Sequence, residues 1–400
     1  MTLDHNKYNE LMLKLFEELN NNHSRENGIR SLLEGILNAA MKLERENFIN
    51  AKPYERNSER IGYANGYKDK ILNTRMGTLD LQVPQVRGLS FYPQCIEKGS
   101  RSERALKLAV AEMYLKGVST RKVEAITQEL CGMNFTSTQV SRATKELDAE
   151  FEIFRNRLLG GFEYLFLDAT YLKIRHNGMV IDQATLIAYG VNKEGKREII
   201  GASTSLSEAE VHWRDFLESL VKRGINGIKL IISDDHFGLR KARQKVFPSV
   251  PWQRCQFHMS KNAQSYASKL SLKEPIAQAM RDIFNSSDLR GARQKVDEIS
   301  KKFIKIAPEF VEWLNNNIEE GLICFNFPRK HWMKIRTTNS LERVNREIKR
   351  RTRVAVLFPN AESALRLVTG VLIEIHEDWV TDKIYLKMEE KKETKYQMIV

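Results

Sequence analysis

Apolar positions change their spacing several times along the chain, and each change marks a different element. Leu11, Leu15 and Leu19 recur four residues apart, and SLLEGILNAAMKLERE continues the helical period, so residues 1–60 are expected to form amphipathic helices. ILNTRMGTLDLQVPQV instead alternates apolar and polar residues about Gly77 and ends in Pro84, which predicts a short hairpin with an edge strand within 61–100. The helical period returns at Arg101 with clear punctuation. Gly117 stops one helix, Ser119 or Thr120 caps a second, Cys131-Gly132 ends it, and Ser137 or Thr138 caps a third.

Beyond RNRLLGGFE the texture is that of strands. YLFLDATYLKIR, MVIDQATLIAYGVN and REIIGASTSL are successive β-branched and aromatic runs, which predict a meander. SEAEVHWRDFLESLVKRG then reads as an amphipathic helix ending at Gly224, and GIKLIISDD as a buried strand. The order is mixed α/β. Residues 259–335 are mostly helical in period and predict an all-α insertion between 159–258 and 336–380, with 381–400 as a tail.

Charge narrows the partner. A net charge of +13 with 42% hydrophobic residues describes a folded protein that meets a polyanion, with nucleic acid favoured over anionic lipid or simple solubility. No run approaches the length of a membrane span, and MTLDHNKYNE lacks the order of a signal peptide, so a cytoplasmic protein is expected. Four cysteines are too few for a disulfide framework. In this context the capped helices of 101–158 suit a helix-turn-helix, with Thr138, Gln139, Ser141 and Arg142 at the exposed start of its second helix. A plain helical hairpin in a bundle is the alternative.

Three carboxylates carry the candidate chemistry. Asp168 interrupts an apolar strand, where an acid is costly unless paired or bound to metal. Asp234 and Asp235 end another strand, and one of them could simply cap the next helix. Glu342 heads TTNSLERVNREIKRRTRV, where Asn339 followed by Glu342 has the spacing of a capping box. At 100° per residue Leu341, Val344 and Ile348 form a core stripe, while Glu342 leads Arg346, Lys349 and Arg353 along another side, with Arg350 in the same basic block. Carboxylates beside arginines and lysines suit metal-dependent phosphodiester chemistry. Cys255 and His258 make half a zinc site that His236 and Cys324 could complete, while Trp213, Trp252 and Trp332 read as core or domain-contact residues.

LFLDATYLKIR, LIISDDHFGLRKA, WQRCQFH and the Glu342 segment resemble the catalytic signature of the Mutator-like transposases of bacterial insertion sequences. GYKDKILNTRMGTLDLQVPQVRG, EMYLKGVSTRKVEAITQELCG and STQVSRATKELD are similar to that family's N-terminal half, so the likeness covers roughly 60–380. It implies a ribonuclease-H-like catalytic domain with an all-α insertion, Asp168, Asp234 and Glu342 as catalytic and metal-binding residues, and Asp235 as the lesser metal candidate. It also implies two Mg²⁺ or Mn²⁺ ions, and Cys255 and His258 as supports; His236 is read either as a support of Asp234 or as a satisfied histidine at the start of a helix. The implied partners are terminal inverted repeats and target DNA, met by a homodimer or larger assembly at the bacterial nucleoid, with no membrane. The 108 positions from Asp234 to Glu342 (342 − 234) leave room for the insertion.

Overall fold

The computed structural model describes residues 25–99, 102–131, 135–353, 355 and 357–388. Leu11, Leu15, Leu19 and the turn at Gly132 lie outside them. The chain forms two compact units, Met1–Glu146 and Leu147–Val400.

The first unit contains α1 (Arg25–Ile49), the hairpin β1 (Tyr63–Thr74) and β2 (Gly77–Arg87), then α2 (Arg104–Leu115), α3 (Thr120–Cys131) and α4 (Ser137–Lys145). The hairpin turns beside Gly77, whose φ of +108° suits a residue without Cβ. Strand β2 does not end at Pro84. It runs on to Arg87, because Pro84 pairs with Tyr67 beside a register shift, where a missing N–H is tolerated. Leu79, Leu81 and Val83 point every second residue into a core with Met41 and Ile96. Glu34 and Asn38 of α1 accept from the N–H groups of Asp80 and Gln82 at 3.0 and 2.8 Å, covering the outer edge of β2. Ser119 caps α3 through the Lys122 N–H. Helix α4 is capped by Thr136, one residue before the expected pair, in a capping box with Gln139.

The second unit opens with α5 (Asp148–Asn156), which Asp148 ties to Arg366 through paired bonds of 2.6 and 2.7 Å; this helix was expected with the preceding domain. The predicted meander forms as β3 (Phe162–His176), β4 (Met179–Asn192) and β5 (Arg197–Ser205). Helix α6 (Glu210–Lys222) leads to β6 (Leu230–Ser233), then α7 (Phe237–Val246) and β7 (Trp252–Arg254). The sheet order is β5-β4-β3-β6-β7, with β6 parallel to both β3 and β7. Leu165, Leu167 and Ile231 face Trp213, Leu217 and Leu239 on one side. On the other, Phe166 stacks on Tyr189 at 4.3 Å, and Tyr189 meets Trp379 edge-on.

After β7 come α8 (Gln256–Ser265), α9 (Lys273–Phe284), α10 (Leu289–Phe303), α11 (Pro308–Asn317) and α12 (Arg329–Ile335). Met259, Ile283, Val296, Phe310 and Leu314 give this helical block its own core. Helix α13 (Asn339–Thr352) then returns to the sheet, and α14 (Ala361–Thr381) covers it. Leu341, Val344 and Ile348 are buried, as their spacing predicts.

Candidate active site

The strand register brings two acids together. Phe166 pairs with Ile232 across β3 and β6, so two residues further on Asp168, midway along β3, and Asp234, just past the end of β6, reach the same level. Asp168 is buried; its Oδ1 accepts from the Ala169 N–H at 2.9 Å and its Oδ2 from the Asn345 amide at 2.8 Å. Burial, then the charge of Asp234, pushes the Asp168 carboxyl up to about 7. Asp234 is also raised by burial, against the opposing pull of His258.

Glu342 enters from α13, one turn before Asn345. Thr338, at the N-cap of that helix, makes no side-chain cap, and the capping box that was the alternative reading of Asn339 and Glu342 does not form. The Glu342 carboxylate instead faces His258, with Oε1 3.5 Å from Nε2. His258 is held from behind. Cys255 extends the β6 pairing through its N–H to the Ser233 carbonyl (2.7 Å), and its sulfur accepts from the Thr338 hydroxyl and N–H at 3.3 and 3.4 Å. The neighbouring Cys255 sulfur pushes His258 up to about 9; burial opposes this, and the charges of Asp234 and Asp168 add to it. Burial resists ionisation of Cys255, yet its interaction with the nearby His258 and the bonds from Thr338 leave that thiol below its ordinary value.

The two adjacent aspartates separate. Asp235 turns into an ion-pair network, 3.0 Å from Arg254 and 3.4 Å from Arg240, both of which also meet Glu320. His236 lies with Nδ1 3.6 Å from Glu208. Glu208 is a nearly buried carboxylate whose charge reaches both Asp168 and Asp234 and whose side chain bonds to Tyr171. Cys324 goes elsewhere and accepts from the Gln256 amide. Among the described residues no three Asp, Glu, His or Cys side chains stand ready-gathered to hold a metal ion. Asp168 and Asp234 nevertheless have the donor chemistry a hard cation requires, and Glu342 Oε1 is a buried oxygen without a hydrogen-bond partner there.

The basic positions divide as well. Arg346, Lys349 and Arg353 are exposed and, among the described residues, carry no ion pair. Arg350 is clamped by Glu347 at 2.7 and 2.8 Å. On α4, Thr138, Ser141 and Arg142 are exposed, while Gln139 is half-buried and commits its Oε1 to the capping box. Trp213 and Trp252 are buried, and Trp332 donates to the Phe327 carbonyl at 2.6 Å. Sequence reasoning missed Asn345 and Glu208. The first lies three residues beyond Glu342 and so on the same helical side, which was a usable signal; the second sits in a loop that only the fold brings to the sheet end.

Residues 2–382 match the family described as "Transposase, Mutator family". The chain is 48% identical over 361 residues to the transposase for insertion sequence element IS406 of Burkholderia multivorans, spanning 90% of this chain and 93% of that protein. It is 39% identical over 373 residues to the transposase for ISRM5 of Rhizobium meliloti, covering 93% and 94%. Identity is 36% over 356 residues to the transposase for IS256 in transposon Tn4001 of Staphylococcus aureus, covering 88% and 90%.

Proposed function

Because the chain belongs to the Mutator family of transposases, we propose that it binds the terminal inverted repeats of an insertion sequence, nicks them to expose 3′ hydroxyls and joins those ends to target DNA. One observation carries this reading: Asp168 from β3, Asp234 after β6 and Glu342 from α13 converge around His258. The strand order, three antiparallel strands followed by two parallel ones, supports a ribonuclease-H-like catalytic domain.

Asp168, Asp234 and Glu342 are the residues that would hold Mg²⁺ or Mn²⁺, as two ions. Their fit rests on a buried and a half-buried carboxylate that both resist ionisation, and on a buried Glu342 oxygen that faces His258 without a hydrogen bond; a cation would stabilise all three. Divalent ions at such a site supply positive charge for the attacking and leaving oxygens of phosphodiester displacement. The chain's own groups do the positioning. Asn345 fixes the orientation of Asp168, and His258 holds the Glu342 carboxylate toward the aspartates. Arg346, Lys349 and Arg353 are free to grip phosphates, while α3 and α4 form the helix-turn-helix that reads the ends through Thr138, Ser141 and Arg142. Synapsis of two ends calls for at least a dimer, acting on DNA in the cytoplasm.

The test is transposition in cells from a plasmid carrying this gene within its natural flanking DNA, scored by new end junctions. Wild type should give junctions, and folded Asp168→Asn, Asp234→Asn and Glu342→Gln variants none. Cut ends without junctions would reduce the reading to a nuclease, and specific end binding with neither product would leave a DNA-binding regulator.

A further inference from the structure

Two phenylalanines next to the candidate active site leave their rings open to solvent. Phe237 is 72% exposed and Phe257 39%. Phe237 opens α7, three residues after Asp234, and Phe257 lies in the first turn of α8, one residue before His258. Ser233 pairs with Arg254 across the parallel strands β6 and β7, so both helices start where these strands end, beside Asp234. Each ring has an exposed lysine four residues later: Lys241 stands 5.7 Å from the Phe237 centroid and Lys261 4.4 Å from that of Phe257. The Phe257 ring also meets the His258 imidazole at 5.5 Å, joining it directly to the support of Glu342.

We propose that Phe237 and Phe257 are stacking platforms for unpaired bases of the DNA strand at the reacting end, with Lys241 and Lys261 holding the adjoining phosphates. Exposed aromatic faces combined with cations are how proteins hold single strands without reading their sequence. Duplex DNA keeps its base faces inside the stack, so the occupant is strand-separated nucleotides. Charge selects a nucleic acid over an apolar partner, because the cations flank the very rings that would have to be covered. The inference rests on the transposase reading and adds to it that the end is melted locally where it is cut.

The test measures fluorescence anisotropy of full-length protein with labelled oligo-dT of about 20 nucleotides and, separately, with duplex carrying the element's end. Phe237→Ala with Phe257→Ala should weaken oligo-dT binding about tenfold or more and leave duplex affinity within about twofold. The double Trp variant should restore oligo-dT binding, which a mere folding defect would not allow. Lys241→Ala with Lys261→Ala should lower the salt slope for oligo-dT. Unchanged oligo-dT affinity in the Ala variant, or an equal loss on both DNAs, overturns the proposal. So does a lower oligomeric mass of that variant by light scattering, which would assign the rings to a contact between copies. A wild type that binds duplex but not oligo-dT sinks this proposal alone; one that binds neither sinks the transposase reading with it.

Discussion

Asn345 donates its side-chain amide to Asp168 Oδ2 at 2.8 Å, tying α13 to β3 one turn beyond Glu342. The bond aims one carboxylate and fixes the helix that delivers another. If the proposed metal-dependent end cleavage holds, Asn345→Ala should raise the Mg²⁺ concentration for half-maximal cleavage about tenfold or more, the usual effect of losing a group that orients a metal ligand. Metal titration of cleavage by purified protein checks this, and an unchanged midpoint would mean that the amide is only a packing contact.

Gly238 has no room for a side chain. An added Cβ would lie 2.0 Å from the Glu208 carbonyl oxygen, a backbone atom that cannot swing aside. Gly238→Ala should cost about 2 kcal/mol of stability, within the range for overpacking, and reduce cleavage by separating the start of α7 from the loop carrying Glu208. Gly160→Ala, where a Cβ meets nothing within 4 Å, is the matched control and should be neutral. Urea unfolding of both variants provides the comparison.

Arg351 is a buried cation between α13 and α14, bonded to Glu374 at 2.9 Å and to Glu347 at 2.7 Å. Arg351→Met should lower stability by about 2 kcal/mol, less than the full cost of breaking a buried pair because both glutamates keep some solvent contact. Denaturant midpoints would show it. A change under about 0.5 kcal/mol would rank this pair with ordinary surface bridges.

His376 on α14 stacks edge-on against Phe154, and burial followed by the charge of Arg157 holds its imidazole down at about 4. The unfolded chain takes up that proton near 6.5 and the fold resists it until about 4. More protons are bound unfolded across that window, so stability rises with pH from about 4 to 6.5 and is lost as pH falls through it. His376→Phe should flatten this limb in thermal melts taken across the window. A limb of unchanged steepness would trace acid lability to other groups.

Arg346 and Arg350 differ in the charge they have free for the proposed DNA contact. Arg346→Ala should lower the slope of log affinity against log salt by about one, and Lys349→Ala likewise. Arg350→Ala should change it less, because Glu347 already neutralises that guanidinium. Equal slopes for all three would show that Glu347 releases Arg350 on binding.

The local periods in the sequence determined a great deal: the meander, the helical block, and the buried stripe of Leu341, Val344 and Ile348 all follow from side-chain spacing, which acts over a few residues. Strand β7 stayed hidden because three buried residues are too short to show a period. The acids themselves were visible as carboxylates in costly places. What only the tertiary structure decided is their company. It took the β3–β6 register to level Asp168 with Asp234, an ion-pair network to draw Asp235 aside, and the return of α13 to exchange a capping role for Glu342 with a place opposite His258. Each of those choices depends on contacts between residues far apart in the chain, and distance along the sequence carries no information about direction in space until the sheet and its helices have closed.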